Sequence, residues 1–357
     1  MWKWINVLSL FDWMSCWMIA LEKAWIKVNN YFASEIDKYA IQVSKKNYPS
    51  IKHIWDVQKI SFIKDQKLVN WLYWEPSENP LKDTMWETNI DLLIWWSPCQ
   101  WFSRAWKQLN FEDHRSKLFF EFVRILKETK PKYFLLENVK MKKEYQDIIS
   151  KYLWVEPIEI NSSLLSAQNR KRLYWTNIPW IEQPKDKGVI LIDILEESVD
   201  KKYTFTEEKT KSLLKYRENY QVCWKTPTLT TELAHWSWKN STPGIIREIE
   251  SALLIKNATK KWYIEAEIWD WVDYSFPNSK TRRWRVKSWK SWTLVTWHNQ
   301  AVVTEWKRLR KLTPIECERL QTVPDNYTEW VSETQRYKML WNWWTTDVIS
   351  HIFKHIT

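Results

Sequence analysis

Apolar runs alternate with helical periods through the first 180 residues. Ile5–Phe11 is an apolar run of strand length and predicts a buried strand. Met18–Ala24 (MIALEKA) has the spacing of a helix. A second strand over Asn30–Ala33 and a second helix over Asp37–Lys46 follow. Asp91–Ile94 (DLLI) predicts a strand, Lys117–Lys127 (KLFFEFVRILK) an amphipathic helix, and Tyr133–Leu136 (YFLL) another strand. This alternation predicts an α/β fold, a doubly wound and mainly parallel sheet. Such sheets bind ligands at the carboxyl ends of their strands. Phe11-Asp12, Glu35, Pro98-Cys99 and Glu137-Asn138 all follow predicted strands.

Beyond about residue 180 the helical period fades while Ser, Thr, Lys and Arg rise. After 305 order returns. LTPIECERLQ reads as a helix start, MLWNWW as a loop and DVISHIFKHI as a helix. The expected organisation is a first domain over 1–180, a smaller irregular one over 181–300, and a C-terminal segment, 301–357, that returns to the first.

Composition changes this picture in one respect. The chain has 31 Trp and 2 Gly, where average usage gives a chain of this length roughly 25 Gly. Many Trp stand at turn-like places, as in FDW and MLWNW. We read most of them as occupying glycine positions, as a UGA codon decoded as glycine in the source but written as Trp, or a deliberate glycine-to-tryptophan substitution, would produce; the other reading is a truly Trp-rich protein. A literal Trp at each such site would overpack the chain. The net charge of +11 favours a polyanionic partner. KTRRWRVKSWKSW (280–292) carries Lys280, Arg282, Arg283, Arg285, Lys287 and Lys290, which read as phosphate contacts or as a solvated surface. No apolar run reaches about 18 residues, so no membrane span is expected. INVLSLF does not resemble a signal peptide. Cys16, Cys99, Cys223 and Cys317 lack CxxC spacing, which argues against a metal site and for a reducing cytoplasm.

Cys99, at a strand end beside Pro98 and Gln100, is a candidate nucleophile; a lone Cys is otherwise a small buried hydrophobe. Glu137 follows another strand. Arg170 and Arg172 share one side of an extended segment.

These pieces resemble, in order, the DNA (cytosine-5)-methyltransferase family across nearly the whole chain. LSLFDWMSCW is similar to its first motif with glycine expected at 13 and 17. WWSPCQWFS is similar to its Pro-Cys-Gln loop, with glycine expected at 95, 96 and 101. LLENV, QNRKR, RKLTPIECERLQTVP and MLWNWWTTDVI match four further motifs. Trp175 and Trp344 fall where the family accepts Trp. The resemblance implies a Rossmann-like fold dependent on S-adenosylmethionine, with 181–300 as target-recognition domain. It implies Cys99 as the thiolate that adds to carbon 6 of a flipped cytosine, Glu137 as the group at ring nitrogen 3, and Arg172 and Arg170 as supports. For the cofactor it implies Phe11, Asp12, Trp13, Met14, Glu35, Ile36, Asp56, Val57, Pro98, Asn342 and Thr345. Asp56 also reads as a plain turn residue. The implied partner is double-stranded DNA, with a cognate restriction endonuclease as a further candidate and a monomeric enzyme expected. Alternatives are a tRNA cytosine-5 methyltransferase, whose Cys-Phe-Thr signature is not seen, and an inactive DNA-binding homologue, against which the intact Pro-Cys and Glu-Asn-Val argue.

Overall fold

A computed structural model describes residues 4–54, 56–63, 67–70, 86–87, 89–96, 114–206, 208–210, 253–260, 263–276, 279–281, 283, 285–294, 300–304 and 309–356. The chain divides into two compact units, residues 1–189 with 314–357 and residues 190–313. These limits fall later than those expected from texture, because residues 300–303 and 309–310 are strands of the smaller unit.

The larger unit is built on seven strands: β1 (Trp4–Leu10), β2 (Lys27–Ser34), β3 (Lys52–His53), β4 (Leu92–Trp96), β5 (Tyr133–Val139), β6 (Ile158–Asn161) and β7 (Lys171–Thr176). Their order is β3-β2-β1-β4-β5-β7-β6. The first five are parallel, and β7 runs antiparallel to both β5 and β6. Central parallel strands bury both faces, which explains the unbroken apolar runs. Register matters most for function. Leu10 lies level with Ser34 and Trp95, and Trp96 lies level with Glu137. Phe11, Glu35, Trp96 and Glu137 therefore line one carboxyl edge of the sheet.

The helices are α1 (Cys16–Lys23), α2 (Lys38–Asn47), α3 (His114–Thr129), α4 (Lys143–Leu153), α5 (Pro314–Leu320), α6 (Glu333–Asn342) and α7 (Thr346–Phe353). In α3, Phe119, Phe122 and Val123 turn inward at helical spacing and join Leu8, Phe134 and Trp175 in one core. MLWN, expected as loop, is instead the last turn of α6, because Tyr337 and Leu340 place one buried face three residues apart. Elements α4, β6 and β7 are additions to the expected pattern. Short strands 60–63, 67–70 and 86–87 form a separate antiparallel sheet. Among the described residues no helix is long and apolar enough to cross a membrane.

The smaller unit holds an antiparallel pair, β8 (Leu253–Lys256) with β9 (Tyr263–Ala266), and a four-stranded antiparallel sheet. That sheet consists of β10 (Trp271–Asp273), β11 (Val286–Lys287), β12 (Gln300–Val303) and β13 (Leu309–Arg310), ordered β11-β10-β12-β13. Phe205, Ile255, Val272, Val303 and Leu309 form its core. Strands this short carry no helical period, hence the change of texture.

Twelve described residues other than glycine have left-handed backbone, and six are Trp: Trp13, Trp25, Trp154, Trp180, Trp269 and Trp289. A bulky side chain there costs about 1–3 kcal/mol. Trp154 caps the C-terminus of α4 at φ 57, donates its N–H to Ser150 O at 2.7 Å, and is 85% exposed. The cap needs the backbone and not the indole. Trp154→Gly should raise stability by about 1 kcal/mol in denaturant melts; a lowered midpoint would show that the indole contributes packing.

Candidate active site

The site begins at the turn between β1 and α1. Phe11, Trp13 and Ser15 are all left-handed, with φ of 57, 57 and 59. Asp12 fixes the turn from inside. Its N–H donates to Ser34 O at 3.0 Å, and its buried carboxylate accepts from Tyr31 Oη at 2.5 Å and from Ser15 Oγ. Ser15 Oγ continues to Ser44 Oγ at 2.5 Å, and Ser44 Oγ to His53 Nε2 at 3.2 Å. Burial raises the Asp12 carboxyl above its ordinary value, against the pull of the hydroxyl donors. Glu35 holds the neighbouring loop. It accepts N–H bonds from Trp13 at 2.9 Å, Ile36 at 2.7 Å and Asp37 at 2.8 Å. Ile36 itself stands 71% exposed beside that carboxylate.

Other expected cofactor residues make contacts within the fold. Met14 is buried, and its carbonyl accepts from Tyr327 Oη at 2.7 Å. Asp56 Oδ1 accepts the N–H of Gln58 at 2.9 Å, a local turn bond, and Val57 is buried. Asn342 Nδ2 returns to Lys338 O in its own helix. Thr345 Oγ1 lies 3.5 Å from Gln321 Oε1. Gln321 is a residue that sequence reasoning misses. Its Nε2 donates to Leu340 O and Trp343 O, and its main-chain carbonyl accepts the N–H of Thr346, so one buried residue holds the loop between α6 and α7. Its one signal is its place at the end of LTPIECERLQ.

At the end of β5, Glu137 is fully buried, and among the described residues none donates a hydrogen bond to either carboxylate oxygen. Arg172 Nε stands 3.1 Å from Oε1, close enough for an ion pair but not aligned for a hydrogen bond. Desolvation raises the Glu137 carboxyl, while Arg172 and then Arg170 oppose it. The structure thus brings Glu137 and Arg172 together. Cys99, Pro98 and Gln100 lie outside the described residues. Of the other thiols, burial pushes Cys16 and Cys317 well above the ordinary range, so neither is a ready thiolate.

The indoles along this edge decide whether S-adenosylmethionine fits. Trp13, Trp17, Trp96, Trp343 and Trp344 are all buried there. The rings of Trp343 and Trp344 have centroids 3.5 Å apart at 32°, and those of Trp17 and Trp344 3.7 Å apart at 47°. Aromatic pairs ordinarily lie about 4.5–7 Å apart. Trp13 Nε1 reaches Met339 O at 3.2 Å, and its ring lies 5.6 Å from that of Trp96. The polar anchor at Glu35 suits a nucleoside, but the written tryptophans leave no room for one. The residues present do not fit the cofactor.

In the smaller unit the basic cluster divides. Lys280 and Arg283 are exposed, Lys287 and Lys290 are half-buried, and Arg282 lies outside the described residues. Arg285 departs from the expected phosphate contact: it is 1% exposed, and its guanidinium donates to the carbonyls of Ser275 at 2.8 Å, Phe276 at 2.5 Å and Asp273 at 3.4 Å. It ties the chain after β10. Arg285→Ala should therefore cost about 2–4 kcal/mol in chemical denaturation, since it strands buried carbonyls; an unchanged midpoint would return Arg285 to the surface. Asp12 generates a pH test. A carboxyl raised above its ordinary 3.8 stabilises the fold fully below that pH, and the contribution is lost as pH rises through the raised value. Asp12→Asn should flatten this part of the stability–pH curve, read by melting from acid to neutral pH.

A family model described as C-5 cytosine-specific DNA methylase matches residues 5–357. The chain is 26% identical to the orphan methyltransferase M.SPRI of Bacillus phage SPR, over 99% of this chain and 97% of that protein. It is 32% identical to the type II methyltransferase M.NlaIV of Neisseria lactamica, over 75% of this chain and 65% of that protein. Among solved structures, Entamoeba histolytica methyltransferase EhMeth aligns with a TM-score of 0.61 at 16% identity, over 99% of this chain and 98% of that one. Parallel sheet, carboxyl-edge acids and full-length match agree: the chain belongs to the C-5 cytosine-specific DNA methylase family.

Proposed function

We propose that the active polypeptide methylates carbon 5 of cytosine in double-stranded DNA, with S-adenosylmethionine as the methyl donor. The observation that carries this reading is Glu137. A buried carboxyl without a hydrogen-bond partner costs stability unless a ligand completes it. Burial favours its protonated form over the carboxylate, and a protonated carboxyl can offer its proton to ring nitrogen 3 of a cytosine. Arg172, an ion-pair distance away, holds the carboxyl in place and offers guanidinium N–H groups to the base carbonyl.

Cys99 is the nucleophile of this proposal. Its thiolate adds to ring carbon 6, and protonation at nitrogen 3 offsets the charge that the addition places on the ring. The base has to leave the helical stack to meet these groups. The exposed Lys280 and Arg283, with Lys287 and Lys290, supply phosphate contacts that position the duplex without reading its sequence. The orphan and type II methyltransferases among the relatives support DNA as the substrate.

The test uses a chain opened by Trp13→Gly, Trp17→Gly, Trp96→Gly and Trp343→Gly. Bisulfite sequencing of plasmid from an expressing host should show one short methylated motif. In that background Cys99→Ser should abolish transfer, and Glu137→Gln should slow it by about 10²–10⁴-fold. A Cys99→Ser enzyme retaining a tenth of the rate would remove Cys99 from its role. Replacing Lys280, Arg283, Lys287 and Lys290 by Ala should flatten the dependence of log affinity on log salt, by about 0.9 for each phosphate no longer neutralised.

A further inference from the structure

We infer that the working polypeptide carries glycine at the cleft positions Trp13, Trp17, Trp96 and Trp343 and at the left-handed surface positions Trp25, Trp154, Trp180 and Trp289, while Trp175 is a true tryptophan. The inference deepens the methyltransferase reading and rests on it for the identity of the ligand alone.

Three observations bear on these residues: backbone on Trp13 and the four surface positions, hydrogen bonding on Trp17 and Trp343, and space on the cleft as a whole. The first is backbone. Half of the left-handed residues other than glycine are Trp, and the one described glycine, Gly188, is also left-handed at φ 70. Only glycine adopts that conformation without steric cost. Trp25, Trp154, Trp180 and Trp289 gain nothing in return, being 74%, 85%, 88% and 68% exposed.

The second is hydrogen bonding. A buried indole N–H ordinarily finds an acceptor. Among the described residues those of Trp17, Trp95, Trp271, Trp292, Trp343 and Trp344 have none, while that of Trp13 reaches Met339 O at 3.2 Å. Trp175 behaves as a native core residue: it is fully buried, and its Nε1 donates to Ser150 Oγ at 3.1 Å.

The third is space. The closest ring pairs join Trp17, Trp343 and Trp344 at centroid distances below those of ordinary aromatic contacts. Removing the side chains at 17 and 343 relieves both overlaps and leaves Trp344 room. Removing those at 13 and 96 clears the edge beside Glu35. The positions that deny the ligand room include Trp13, where the backbone itself asks for glycine. One decoding route yields the pattern: UGA codons inserted as glycine by the source and written as tryptophan under another code.

The experiment compares three full-length chains: one as written, one with glycine at all eight positions, and the latter with Trp175→Gly added. Binding of S-adenosylmethionine is read by titration calorimetry and folding by thermal melting. The eight-glycine chain should show saturable binding and one cooperative melt. The written chain should show neither, and Trp175→Gly should abolish the cooperative melt. Saturable binding by the written chain overturns the inference, and so does an eight-glycine chain that fails to bind. UGG codons at the eight positions in the gene would overturn it as well. Plasmid methylation is scored separately: an eight-glycine chain that binds the cofactor but leaves DNA unmethylated upholds the glycine assignment and removes the transfer reading.

Discussion

The candidate site depends on one buried carboxylate. Asp12 ties the turn after β1 to β2 through Tyr31, and to α2 through Ser15 and Ser44. That turn alternates left-handed residues, a path that a chain of L-amino acids avoids unless its surroundings impose it. The path aims the N–H of Trp13 at Glu35, and Glu35 in turn gathers the loop that opens α2 by accepting from Ile36 and Asp37. Without Asp12 the strands would still pair, but the edge where their carboxyl ends meet would lose its shape.

Among the buried polar groups without a hydrogen-bond partner in the described part of the larger unit, the Glu137 carboxyl and the indole N–H groups mean different things. Glu137 stands against Arg172 at a strand end, where a polar ligand would complete it. Such a deficit is the ordinary signature of a site awaiting its substrate. The indole N–H groups of Trp17 and Trp343 sit among other rings, where no polar ligand is called for. Their deficit marks side chains too large for their positions.

Much of the fold is legible in the sequence because central parallel strands are apolar on both faces and short. Ile5–Phe11, DLLI and YFLL fall close to β1, β4 and β5. Helix α4 escapes notice because its buried face is only Ile149, Ser150 and Leu153. In the smaller unit, strands of two to four residues carry too little pattern to be seen. Of the site, Glu35, Glu137 and Arg172 are readable because strand ends and motif spacing announce them. The engagement of Arg285 with three carbonyls is not, since a basic run looks the same whether its members face phosphate or backbone. Gln321 is hidden for a related reason: its role arises from a loop well separated from it in the chain.

The larger unit is assembled from two stretches of chain separated by the whole of the smaller one. Tyr327 Oη bonds Met14 O across 313 residues, and Lys23 pairs with Asp347 across 324. On a ribosome adding about 5–20 residues per second, the first turn waits roughly 15–65 s for these partners. During that interval residues 190–313 emerge, while the sheet of residues 4–176 still lacks the helices α5, α6 and α7. Synthesis thus runs opposite to nearness in the fold: the turn that begins the site follows a strand paired on both sides, yet the contacts that cover that turn come from the last part of the chain to be made.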